Sequence, residues 1–318
     1  PTTVAAATAP QEDDPSKASR SSASASVAGA ASSPSAGEEQ VENAQPASAS
    51  TSSSFVEVIQ APTDLFVAKT SSELDRLLEL VRLLAKTRPT PNVILKLLEG
   101  TQDEAWTVRK LAFQGLGCLK HFEKLDDSTS DAAGKRILRG LADGHWEVRE
   151  SAARALSFFG SAVGSSADVS EALGSEESWA VRVAILQACA RLGGASLAQL
   201  DAIVNSLSDQ HWKVRMWAAT AIGSLGYQAL SAIPACKGAC KDLEWQVRRA
   251  ALNALTALSV SSPESAEAAL LDGLDDRSWQ VRQAAAWNIT QLPTIRSSKV
   301  AATLARRLTD QEELVAIA

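Results

Sequence analysis

The sequence predicts an all-α fold, a right-handed solenoid (superhelix) of six to seven stacked helix pairs over residues 65–318, behind a disordered tail over residues 1–64. Three observations carry this expectation. Six tryptophans recur at a nearly constant interval. The apolar residues around them fall at helical spacing, with no period-two alternation anywhere. The N-terminal segment holds almost nothing that a core could use.

The tryptophans are Trp106, Trp146, Trp179, Trp212, Trp245 and Trp279, separated by 40, 33, 33, 33 and 34 residues. A fixed period in this range marks a repeat architecture in which each unit stacks on the next. The register around each Trp holds. Three residues before it stands an acid: Asp103, Asp143, Glu176, Asp209, Asp242 or Asp276. Two residues after it stands Val108, Val148, Val181, Val214, Val247 or Val281, followed directly by Arg109, Arg149, Arg182, Arg215, Arg248 or Arg282.

Each repeated residue has a physical task. The acid suits a helix N-cap, where its oxygen meets unbonded amides and the positive end of the dipole. The Val opens an apolar stripe: Val148, Ala152, Ala155, Leu156 and Phe159 share one helical face. Small alanines let neighbouring helices approach. Trp146 and Arg149 are close enough along the helix to touch. A shorter helix precedes each Trp-headed one, marked by Leu200, Ile203, Val204 and Leu207, or by Ile137, Leu138 and Leu141. Neither helix of a pair buries its face alone, so the pairs must stack.

The ends and irregular points refine this picture. The stretch "SSASASVAGAASSPSAGEEQ" cannot offset the entropy of ordering itself. It reads as a disordered tail or linker, and Glu12, Asp13 and Asp14 argue against a targeting remnant. From residue 71, "SSELDRLLELVRLLAK" sets Leu74, Leu77, Leu78, Val81 and Leu84 on one stripe, with Ser72 placed to cap it. The longer interval after Trp106 carries an insertion near "KLDDSTSD", read as a longer surface loop. Glu313 and Val315 begin a seventh unit that the sequence cuts short. Asn288 replaces a small alanine and needs hydrogen-bond partners if buried.

The segments "DGHWEVRESAARAL", "DQHWKVRMWAATAI" and "DDRSWQVRQAAAWNI" resemble HEAT repeats, specifically the short PBS-lyase HEAT-like variety. The resemblance covers roughly residues 90–318. It implies a helical solenoid and, from the family pattern, a ladder in which each repeat's Arg bonds the acid of an adjacent repeat. By that likeness the ladder comprises Asp103, Arg109, Asp143, Arg149, Glu176, Arg182, Asp209, Arg215, Asp242, Arg248, Asp276 and Arg282. The Gly-Tyr and Pro landmarks of tetratricopeptide repeats are missing.

Chemistry is sparse by comparison. The three histidines are His121, His145 and His211. His145 and His211 share a register two repeats apart, about 20 Å at ~10 Å per helix layer, too far to share a metal. Deoxyhypusine hydroxylase, a HEAT-like enzyme family, binds iron through His-Glu pairs. Here Phe122, Trp146 and Trp212 follow the histidines, so that likeness fails. Cys236 and Cys240 lack a second ligand pair and, with Cys118 and Cys189, read as small packing residues of a reducing compartment. No Gly-rich phosphate loop or Ser/His/Asp set is evident.

The sequence therefore points away from an enzyme and toward a scaffold that binds protein partners on its superhelical surface, with no cofactor. The alternative implied by the resemblance is a phycobilin lyase-type subunit holding an open-chain tetrapyrrole, a bilin, although no residue matches a lyase catalytic position. The regular Trp row favours inter-repeat stacking over an exposed binding stripe. Trp217 and Trp287 break the register and are the candidate partner contacts. A net charge of −6 and an acid six residues before each Arg argue against nucleic acid. No apolar run of ~20 residues suggests a membrane span. The expected location is intracellular, in the cytoplasm, with import into an organelle left open.

Overall fold

A computed structural model describes residues 73, 75, 76, 91–119, 127–159, 163, 166–260, 263–292 and 298–307. The tail, the Leu74–Leu84 stripe with its Ser72 cap, His121, and the seventh unit at Glu313 and Val315 lie outside the described residues. Thirteen α-helices and no strand occur among those described.

The helices alternate in kind. The first of each pair are α1 (Pro91–Gly100), α3 (Asp127–Gly140), α5 (Ala167–Ser175), α7 (Leu200–Asn205), α9 (Ile233–Ala239) and α11 (Glu264–Leu274). Each leads into a Trp-headed helix: α2 (Trp106–Leu119), α4 (Trp146–Leu156), α6 (Trp179–Leu192), α8 (Trp212–Leu225), α10 (Trp245–Leu258) and α12 (Trp279–Gln291). A thirteenth, α13 (Ser298–Arg307), begins the next pair and packs on α11.

Burial follows the stripes read from the sequence. Val148, Ala152, Ala155, Leu156 and Phe159 are all buried, as are Ile137, Leu141 and Ile203. The same side of every Trp-headed helix faces the core, through Val108, Val148, Val181, Val214, Val247 and Val281. Successive Trp-headed helices pack closely, α2 on α4, α4 on α6, and so on to α12, whereas α5 and α7 meet only lightly. The first helices also pack on their own partners, α5 on α6 the most lightly, and an apolar core runs through neighbouring pairs.

Two connections are tighter than the sequence suggests. After α6 and α8 the chain turns through Gly193 and Gly226, with φ of 54° and 56°. This left-handed region is one that glycine enters without a Cβ penalty. A 3-10 segment then runs straight into α7 or α9 (Gly193–Gln199, Gly226–Ala232). The stretch Trp179–Ser208 is long and apolar enough to span a bilayer. It is broken at Gly193, however, and α6 buries Val181, Ala184, Ile185 and Leu186 in the core.

The insertion between the first two tryptophans is not wholly loop. Asp127 to Asp131, within "KLDDSTSD", form the start of α3. Asn288 is buried, and its Nδ2 donates to Asn253 Oδ1 of the preceding repeat at 2.8 Å. Burial pushes the Cys236 and Cys240 thiols up to about 12, which keeps them protonated as packing groups.

Candidate functional site

Adjacent repeats are joined by a chain of ion pairs beside the N-termini of the Trp-headed helices. Arg109 donates through Nε and Nη2 to both oxygens of Asp143, at 2.7 and 2.8 Å. Arg149 does the same to Glu176 at 2.6 and 2.8 Å, Arg215 to Asp242 at 2.7 and 2.9 Å, and Arg248 to Asp276 at 2.7 Å twice. Arg182 reaches Asp209 at 2.7 and 3.0 Å. The remaining donor of each guanidinium turns back to its own repeat. Arg149 Nη1, for example, donates to the Asp143 carbonyl at 2.8 Å, and Arg282 Nη1 to that of Asp276 at 3.1 Å.

The acid does not occupy the N-cap expected for it. The N-caps are His145, Ser178, His211, Glu244 and Ser278, two residues further on. Each acid instead accepts the amide at that position, as Asp143 accepts His145 N–H at 2.9 Å. This bond pins the turn before the helix and leaves the carboxylate available to the neighbouring Arg.

Electrostatics follow from this geometry. Burial alone would raise the Asp143 carboxyl, yet the Arg109 bond, the His145 amide and the Arg109 charge outweigh it and hold it low. Glu176, Asp242 and Asp276 are lowered by the same balance. The carboxylate bonds raise Arg109, Arg149, Arg215 and Arg248 against the opposing effect of burial.

The Trp row is half-buried, with Trp146 46% and Trp179 41% exposed. Two of its indoles stack on the following repeat. Trp106 stacks on His145 with centroids 5.3 Å apart, and Trp179 on His211 at 4.2 Å. Cations lie over the rings: Lys110 over Trp106, Lys213 over both Trp179 and Trp212, and Arg249 over Trp245. Arg149, expected against Trp146, directs its donors to Glu176 and the Asp143 carbonyl.

Two grooves cross the Trp-headed helices. One, of about 460 Å³ between α8 and α10, is lined by Met216, Trp217, Arg249 and Asn253 among others. The second, of about 470 Å³, crosses α2, α4 and α6 and includes Gln114, Cys118, Arg154, Phe158, Gln187 and Arg191. Trp287 stands on α12, 59% exposed, one repeat beyond Asn253 in the same register. Among the described residues, no group of three or more His, Cys, Asp or Glu is arranged to hold a metal.

Sequence reasoning missed two features. Arg76 bonds Asp103 at 2.7 and 2.9 Å, adding a rung before the first tryptophan. Its signal was spacing: 27 residues separate Arg76 from Asp103, as they separate Arg149 from Glu176. The second is the groove across α2, α4 and α6, whose Gln114, Arg154 and Gln187 stand eight residues after their Trp and whose Arg191 stands twelve after Trp179. The repeats disagree at those positions, so a search for recurrence passes over them.

Comparison with known proteins agrees with this architecture. The family description "HEAT repeats" matches residues 93–190, 166–255, 200–288 and 233–318. The fold resembles an X-ray structure of YIBA from Escherichia coli, with 18% identity, 82% of this chain and 91% of that chain covered, and a TM-score of 0.53. It also resembles the crystal structure of an engineered protein, with 15% identity, 79% and 74% coverage, and a TM-score of 0.53. No curated protein matches the sequence. With helix pairs, inter-repeat ion pairs and matched repeats extending over most of its length, this chain belongs to the HEAT-repeat family.

Proposed function

We propose that this protein is a protein-interaction scaffold whose partners bind along the face formed by its Trp-headed helices. The observation that carries the reading is the composition of that face. Trp217 lies in a groove with Met216 and Arg249, and Trp287 presents more than half of its surface to solvent. Trp, Met and Arg are enriched in protein interfaces, and Trp and Arg dominate hot spots. Trp287 has no packing task that explains its exposure, because Ile289 and Val281 carry the core side of α12. Stacked repeats extend such a face over several layers of ~10 Å each, enough for a partner of ordinary interface size.

The test is affinity capture from native extract with the full chain, wild type against the Trp217→Ala/Trp287→Ala double variant. Proteins retained by the wild type and reduced at least tenfold by a variant of unchanged melting temperature support the reading. Identical retention by both chains contradicts it. A pigmented chain carrying bilin absorbance would replace it with the lyase-type role.

A further inference from the structure

We infer that the groove across α2, α4 and α6 binds an extended acidic peptide segment of a partner, a carboxylate lying against Arg191 and Arg154 while a backbone N–H donates to Gln114. This rests on the scaffold reading and names the chemistry of one partner contact.

Three features point to that occupant. The described lining residues include two guanidinium groups and no carboxylate, in a chain of net charge −6. The Arg191 guanidinium lies over the Phe158 ring at 5.2 Å and makes no ion pair among the described residues. Stacking on a ring leaves the in-plane N–H groups of Arg directed outward in the fork that suits a carboxylate. Among the described residues the Arg154 guanidinium bonds only Glu150, one turn away on its own helix, at 2.7 Å, with its side chain 65% exposed. Such an exposed pair contributes little, so Arg154 can turn to a better partner.

The third feature is Gln114, a part-exposed residue of the groove wall whose Oε1 has no donor among the described residues, so that a turn of its amide would bring the oxygen to a bound segment. A buried acceptor without a donor is destabilising, and a peptide N–H would relieve it. Gln114, Arg154 and Gln187 occupy the same register of three successive repeats. At ~10 Å per layer they span roughly 20 Å, the reach of about six extended residues at ~3.3 Å each. A peptide offers both the carboxylate and the N–H donor. A phosphodiester strand offers no backbone donor, and two guanidinium groups make no basic track for it.

The test uses the full chain and fluorescein-labelled eight-residue peptides of alternating Glu and Val, with Gln/Val and Lys/Val counterparts and an eight-nucleotide oligothymidylate, read by anisotropy. The Glu peptide is expected to bind at least tenfold tighter than the others. Arg191→Gln should weaken it at least tenfold at an unchanged melting temperature, and Gln114→Leu about three- to tenfold with a melting temperature no lower than that of wild type. Lys135→Gln, on α3, which contributes no residue to the groove, should have no effect. Bound Glu peptide should also slow alkylation of Cys118 on the groove wall. Equal binding of the Gln or Lys peptide, tighter oligothymidylate binding, or an Arg191→Gln variant of wild-type affinity overturns the inference. If Arg191→Gln binds the Glu peptide as wild type does while the Trp217- and Trp287-dependent partners are still captured, the scaffold reading stands and the acidic-peptide groove alone falls.

Discussion

Trp179 and His211 lie face to face across two adjacent repeats, their ring centroids 4.2 Å apart and their planes 5° from parallel. The contact, which Trp106 and His145 repeat, explains how a half-exposed indole still serves stacking: these two rings cover the entry turn of the next Trp-headed helix. His211 also caps that helix, its Nδ1 accepting the Lys213 amide at 3.3 Å. Burial first, and then the Lys213 charge, lower the imidazole pKa, so the neutral ring is the folded form. Because protonation is easier in the unfolded chain, this contribution is fully present above the unfolded value of about 6.5 and fades as pH falls through the lowered folded value. Thermal melts from pH 7.5 down to 5 should show a decline in wild type that is flatter in His211→Gln.

Arg248 makes four hydrogen bonds, two to Asp276 and two to the carbonyls of Asp242 and Leu243. Removing it leaves the partly buried Asp276 carboxylate with the Ser278 amide but no guanidinium, and takes a donor from the Asp242 carbonyl, while the Leu243 carbonyl keeps its bond from Arg277. We expect Arg248→Ala to lower unfolding free energy by about 2–3 kcal/mol, between the values typical of exposed and buried pairs. Arg248→Lys should recover less than half of this, since an ammonium cannot reproduce the planar fork. Chemical denaturation of the three proteins measures both differences. The lowered carboxyls of Asp143, Glu176, Asp242 and Asp276 add stability above the unfolded value of about 4, which is lost as pH falls through their folded values. The Arg248→Ala protein should therefore lose less on acidification than wild type.

Gly140 closes α3 against the core of the next helix. A Cβ there would stand 2.4 Å from Phe113 Cζ and 2.8 Å from Ala152 Cβ. Alanine gains up to ~1 kcal/mol of helix propensity, but overpacking against buried Phe113 costs about 1–3 kcal/mol. The clash wins. Gly140→Ala should melt lower than wild type; an equal or higher melting temperature would mean that Phe113 yields.

The two kinds of tryptophan should respond differently to truncation. Trp212→Ala removes an indole that lies under Lys213 beside His211, and should lower melting temperature more than partner retention. Trp287→Ala removes an exposed ring, so its effect on stability should stay within about 0.5 kcal/mol while retention of partners falls. Paired melts and capture experiments separate these outcomes.

The architecture was legible because stacking demands the same residues in every unit. Trp, Val, Arg and the acid recur because each repeat presents one edge to the next, and that recurrence located every Trp-headed helix. Local detail was less visible. The acid resembled an N-cap by composition, but Asp143 bonds the amide of His145, a distinction that depends on where helical geometry begins. Gly193 and Gly226 gave no signal of the 3-10 turns they open, since glycine is equally at home in a longer loop. The groove around Arg191 and Gln114 is invisible to periodicity for a deeper reason. A site for a particular partner requires neighbouring repeats to differ, and only the fold shows which differing residues converge.

The most direct test of inter-repeat coupling is a double-mutant cycle on Arg215 and Asp242, set against one on Arg215 and Asp143. The account predicts a coupling energy of about 1–3 kcal/mol for the first pair, whose members bond across one repeat boundary at 2.7 and 2.9 Å. For the second pair it predicts additivity within about 0.5 kcal/mol. Additive behaviour in the first pair, or equal coupling in both, would contradict the claim that each repeat is held chiefly by its immediate neighbours.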